Sequence, residues 1–186
     1  MAMIRRPSWN FRFFRRFRKD QSGATAVEFG FVAMPFFALM FAIIETSLAF
    51  FTSQILETAV SDASRAVMTG SIQDSGLTLA QQKQSFMTKL CSGLPSFFDC
   101  YNKVQIDVRS YTAFAGSTTN SPLSNGTVNW VPQFAPGNPG DIVVVRAVYP
   151  MPTYTNFYGA SLANMSDGSL LLMATTAFKN EPYTGN

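Results

Sequence analysis

The sequence predicts an α+β protein in which a long N-terminal transmembrane helix continues into a small head built on a roughly three-stranded antiparallel sheet. Three observations predict it. The 23 residues from Phe29 to Phe51 are apolar apart from a single formal charge, Glu45. The stretch TSQILETAVSDASRAVMTG that follows keeps apolar residues at three- and four-residue intervals, the period of a helix with one buried face. Three later segments, VQIDVRSY, DIVVVRAVYP and SLLLMATTAFKN, have the alternation or the β-branched content of strands.

The elements follow in chain order. Residues 1–23 carry seven arginines and lysines against one acid, Asp20, a charge of +6, which leaves −3 for the rest of a chain whose total is +3. The high pI is therefore a property of this leader and is weak evidence for nucleic-acid binding by the head, for which no nucleic-acid partner is expected. Trp9, Phe13 and Phe17 recur every four residues among the arginines, a pattern that suits an anionic membrane surface.

At 1.5 Å per residue the apolar run spans roughly 34 Å, slightly more than a bilayer's hydrocarbon core. The basic flank on its N-terminal side predicts a cytoplasmic N-terminus and an exported head. Pro35 lies inside the run and has no N–H for the carbonyl of Phe31, which predicts a kink. Glu45 would be costly at mid-bilayer, so the expectation is a place near the periplasmic boundary, with a protein partner as the alternative. Ile55, Ala59, Ala63 and Ala66 or Val67 continue the helix to about Met68, where Gly70 is the stop signal.

A second helix is expected over residues 79–90, then strands at 104–111 and 141–150; the segment from Ser169 fits strand or helix, and the Asp167-Gly168 turn signal before it and its Thr-rich second half favour strand. The segment DIVVVRAVYP is the expected sheet centre. Residues 115–140, dense in Gly, Ser, Thr, Asn and Pro, are expected to form a long exposed loop. The organisation is a leader (1–23), a membrane and post-membrane helix (24–70) and a head (71–186).

Chemistry is limited by composition. The chain has no histidine, which removes the commonest general base and metal ligand, so no catalytic residue, cofactor site or metal site is assigned. Asp107, Asp141 and Asp167 form no calcium-loop pattern and are expected to serve strand solvation or turns. Cys91 and Cys100 are separated by eight residues, a spacing unlike paired zinc ligands. In an oxidising compartment they would close a small disulfide loop; buried free thiols are the alternative.

Glu28 stands at position five if the chain is cut after Gly23, between a basic leader and a transmembrane run. This arrangement resembles the prepilin-type signal. The longer stretch GATAVEFGFVAMPFFALMFAIIETSLAFF, with ILETAVSDASRAVMTG after it and AFKNEPY near the C-terminus, resembles the TadE-like family of minor pseudopilins of the tight-adherence pilus system. The resemblance implies a pilin-like fold, an inner-membrane protein with its head in the periplasm, and cleavage between Gly23 and Ala24 by a prepilin peptidase. It further implies three kinds of partner: other minor pseudopilins, the major pilin and the inner-membrane assembly platform.

The new Ala24 amine and the Glu28 carboxylate would each be costly to bury unless paired. The pairing is open between a neighbouring subunit and the same chain, since four residues make about one turn. The plainer reading of Glu28 is an interfacial acid favoured by the helix N-terminus. Phe29 in place of tyrosine after Glu28, and a head larger than that of the small major pilins, point to a minor component. Two other readings compete: an unprocessed single-pass anchored periplasmic binding protein using residues 115–140, and a membrane-tethered enzyme using Asp107 and Asp141.

Overall fold

Helix α1 occupies Ala24–Met68, 45 residues without interruption, and Pro35 lies inside it. In this computed structural model, residues 23–114, 121–155 and 161–183 are described. The chain divides into two compact units, Met1–Ile43 and Ile44–Asn186.

In the first unit, the apolar side chains of α1 point outward on every side; Phe29, Phe31, Val32, Phe36 and Leu39 are all exposed, Phe31 at 81%. Such a surface is the signature of a helix whose solvent is lipid or other helices rather than water.

In the second unit the same helix acquires a buried stripe. Glu45, Ala49, Thr52, Leu56, Ala59, Ala63 and Ala66 are buried, alternating steps of four and three along one face. Most of these side chains are small, which lets other parts of the head approach the helix backbone closely. Gly93 sits so near that a Cβ built on it would lie 3.3 Å from the Ala59 Cβ. The expected contact at Ile55 is shifted by one position, because Leu56 is fully buried and Ile55 only partly.

The helix ends at Met68, and Gly70 follows with φ +75°. This left-handed position favours glycine, and a Cβ there would also collide with the ring of Tyr183.

Helix α2 (Leu79–Ser92) starts on a capping box: Thr78 N–H donates to Gln81 Oε1 at 3.0 Å and Gln81 N–H to the Thr78 hydroxyl. It buries Gln82, Phe86 and Leu90, one side chain per turn. A short helix α3 (Cys100–Lys103) leads into the sheet.

The sheet has the order β1 (Gln105–Tyr111), β4 (Ile142–Pro152), β5 (Ser169–Lys179), all antiparallel. Asp107 lies opposite Arg146, and Arg146 opposite Thr175. β4 is central and buried along nearly its whole length, as its continuous apolar run predicts. Val143, Val145, Ala147, Tyr149 and Met151 join one core with Leu56, Val60 and Val67 of α1 and with Phe86 and Leu90 of α2. Ile142, Val144, Arg146 and Val148 alternate with them and are also buried, so the opposite face of the strand is covered as well.

Most described side chains of the segment expected as a long exposed loop, 115–140, are exposed, as its composition predicts, but part of its backbone is held against the sheet. Residues 115–120 lie outside the described residues, but those from 121 onward are ordered by packing. A small hairpin pairs β2 (Leu123–Ser124) with β3 (Thr127–Val128) across Asn125 and Gly126, both at positive φ. Phe134 then forms a parallel bridge with Val108, with Val108 N–H donating to Gln133 O at 2.8 Å and Ala135 N–H to Val108 O at 2.9 Å. Its ring lies 6.0 Å from that of Phe86. Phe134 is half-buried and packs against the core, which anchors a segment whose polar composition reads as loop.

Candidate assembly helix and its carboxylates

The first turn of α1 presents the two residues of greatest interest for processing. Gly23 directly precedes the helix, Ala24 opens it, and both are exposed. Glu28 is exposed one turn later, and among the described residues nothing donates a hydrogen bond or ion pair to it. A carboxylate at this end of a helix is favoured by the four backbone N–H groups that lack intrahelical acceptors.

Glu45 has a different environment, one the apolar run does not disclose. Its side chain is buried, 5% exposed. Oε1 accepts the backbone N–H of Tyr154 at 2.6 Å and Oε2 that of Thr155 at 3.0 Å. Two successive amides just past β4 thus grip one carboxylate, an arrangement with the strength of charge-assisted hydrogen bonds. The protein partner for Glu45 is therefore its own head.

Cys91, at the end of α2, and Cys100, at the start of α3, are joined by a disulfide, with 5.6 Å between their Cα atoms. It closes a short loop against the core, where the Phe98 ring meets that of Tyr149 at a tilt, 4.6 Å between ring centroids. Burial pushes the Tyr149 hydroxyl's pKa above its usual value, with smaller pushes from Tyr154 and Asp99.

The aspartates fall into two kinds. Asp141 accepts Asn138 N–H at 2.8 Å, and Asp167 accepts Ser169 N–H at 2.9 Å, both turn chemistry. Asp107 corrects the expectation of strand solvation, because it is 1% exposed and lies at the centre of a polar network. Arg146 Nη2 donates to it at 2.7 Å, Arg109 Nε at 3.0 Å and Gln133 N–H at 2.8 Å. Burial alone would raise its pKa. The Arg146 hydrogen bond, the Gln133 amide and Arg109 outweigh that and hold it below the usual carboxylate range.

The Arg146 guanidinium lies 5.1 Å over the Trp130 ring, and Trp130 Nε1–H donates to Gln105 Oε1 at 3.2 Å. Every polar group here has a structural use. The register separates Asp107 from Asp141 by five rungs, roughly 17 Å at the strand rise. A pair of acids working on one glycosidic bond lies no more than about 9.5 Å apart, so the structure does not bring these two together. Among the described residues no cluster of three acidic or cysteine side chains is placed to hold a metal.

The sequence held one unused signal for the network: Arg146 is a lone cation inside a strand that must be buried, and such a cation requires an acid nearby. The grip on Glu45 had no such signal, since its donors are main-chain amides.

α1 is long and apolar enough to cross a membrane. No curated protein and no solved structure matches the chain significantly. Residues 23–65, which run from the glycine before α1 to its last turn, match the family model described as TadE-like protein.

Proposed function

We propose that the chain is a minor pseudopilin of a tight-adherence pilus, a non-enzymatic subunit that acts by lateral packing of its helix and by contacts of its head. The observation that carries this reading is the division within α1. From Val27 to Phe51 its large apolar side chains are exposed, while its later turns are built into the core.

A bilayer covers such a surface before assembly, and neighbouring helices cover it afterwards. Leader 1–23 is removed by a prepilin peptidase on the cytoplasmic side of the inner membrane, and the head lies in the periplasm. Glu28 then faces the new Ala24 amine, in the same chain or in an adjacent subunit. The partners are other minor pseudopilins, the major pilin and the inner-membrane assembly platform; no cofactor takes part.

The test is the N-terminus and intact mass of the membrane-extracted protein from cells with and without the prepilin peptidase. The expected result is a chain starting at Ala24 only when the peptidase is present. A Met1 terminus in both would overturn the proposal in favour of an unprocessed anchored binding protein.

A further inference from the structure

We propose that the outer edge of β1 at Ile106 is a docking site for an extended peptide segment of a partner protein, apolar along its groove and acidic where it passes Lys83. The site lies within the Ile44–Asn186 unit and holds whether or not the leader is removed.

The hydrogen bonds show why the edge is open there. Main-chain groups two residues apart in a strand point to the same edge. Val108 N–H points outward to Gln133 O, so the N–H and C=O of Ile106 point outward as well. A parallel ladder continued from Val108 would close the next rung with Val131 O and Gln133 N–H. Both are taken by side chains of β1: Arg109 Nη2 donates to Val131 O at 3.2 Å, and Gln133 N–H donates to Asp107 at 2.8 Å. The covering segment is thereby drawn off the edge, and among the described residues no other main-chain group bonds that of Ile106. Ile106 is 3% exposed, and main-chain groups buried to this degree are nearly always paired.

Beside this rung runs a groove of about 280 Å³, whose lining includes Lys83 and Met87 of α2, Tyr101 of α3, Val104, Ile106 and Pro132. Its walls suit an extended chain: Val104 is buried, Met87 is partly buried, and Tyr101 is exposed at 61%. A peptide laid there exchanges an N–H and a C=O with Ile106, as a strand added to a sheet edge does, and sets an apolar side chain against Met87 and Val104. The pairing of residues 133–135 with Val108 is the same device, already used by the chain itself one rung away. Lys83 is exposed and forms no ion pair among the described residues. An acidic side chain gains a partner there, and a basic one is repelled.

The experiment uses the full chain in lipid nanodiscs and follows hydrogen exchange at single amides. The probe is an acetylated and amidated peptide of alternating valine and glutamate. It has two twins, one with lysine in place of glutamate and one with every main-chain amide N-methylated.

The valine–glutamate peptide, at millimolar concentration, is expected to slow exchange at Ile106 several-fold and to leave Leu172, which bonds to β4, unchanged. Neither twin is expected to slow Ile106. Lys83→Glu is expected to transfer the protection from the glutamate peptide to the lysine peptide. An Ile106 amide already as slow as Leu172 without peptide would overturn the proposal, because the rung would then be closed within the chain. An Ile106 amide that no peptide slows would overturn it too, as would one that the N-methylated twin slows equally. Protection indifferent to Lys83→Glu would overturn the acidic character of the partner.

Discussion

Asp107 and Arg146 face each other across β1 and β4, and burial makes each dependent on the other. Removing one partner of a buried pair leaves an uncompensated charge and costs roughly 3–5 kcal/mol. Asp107→Asn keeps the shape but not the charge, and is expected to lower head stability by about 3 kcal/mol or more in chemical unfolding. The network also gives a pH dependence with a definite sign. The folded pKa of Asp107 is lowered from the ordinary 3.8, so its contribution is complete above that value and is lost as pH falls through the lower folded one. Subtracting the acid-unfolding curve of Asp107→Asn from that of the parent should isolate a component confined to pH below about 4. A difference spread over neutral pH would contradict the assignment. Glu45 is likewise a buried carboxylate held by donors, two main-chain amides in place of two arginines.

At the scale of elements, the two edges of the sheet differ. The outer edge of β1 is covered by the segment around Phe134, as the Val108 hydrogen bonds describe. Among the described residues, the outer edge of β5 is covered only at its ends. Near the start, Leu171 N–H donates to Asn164 Oδ1 at 2.8 Å, and just past the end Glu181 N–H donates to Met68 O at 2.9 Å. In an antiparallel strand, successive amides point to opposite edges. Odd-numbered residues of β5 therefore point their amides outward, and even-numbered ones bond to β4. Hydrogen exchange is expected to be markedly faster at Met173, Thr175 and Ala177 than at Leu172, Ala174 and Thr176. Uniform protection along β5 would contradict this. An open edge of this kind is one that folded proteins keep short or charged, and here Lys179 is its only charge.

At the scale of the whole molecule, the head-containing unit, Ile44–Asn186, is held together from both ends of the chain. The later turns of α1 supply a wall of the core. The residues after β5 return to the helix end, where Asn180 Nδ2 donates to Pro136 O at 2.9 Å and the Tyr183 ring lies over Gly70. The disulfide adds a covalent tie between α2 and α3. For a loop of this length, with a sequence separation of 9, the chain-entropy argument assigns roughly 2–3 kcal/mol. Reduction is expected to lower the stability of the head by that amount, and Cys91→Ser with Cys100→Ser to reproduce it. An unchanged unfolding midpoint under reductant would show that the loop is already restrained in the unfolded chain.

Much of this was legible in one dimension. Where apolar patterning reports burial, the sequence by itself determined the outcome: the outward apolar surface of α1 before residue 44, its buried face afterwards and the central place of β4, whereas the segment of β5 fitted strand or helix until the structure paired it with β4. Burial of a periodic face is a local property, repeated every turn or every second residue, so composition and spacing suffice. The TadE-like stretch was legible for a related reason, since glycine, carboxylate and apolar run are contiguous. What only the tertiary structure decided are pairings between distant residues and partners without side-chain identity. Asp107 meets Arg146 because a register brings together residues 39 positions apart, and no local pattern encodes a register between separated strands. The covering of the sheet by residues 129–138 depends on one ring, Phe134, finding the core. Glu45 is gripped by the amides of Tyr154 and Thr155, and every residue but proline carries such an amide. A main-chain donor has no letter in the sequence, so its choice of acceptor appears only when the chain is folded.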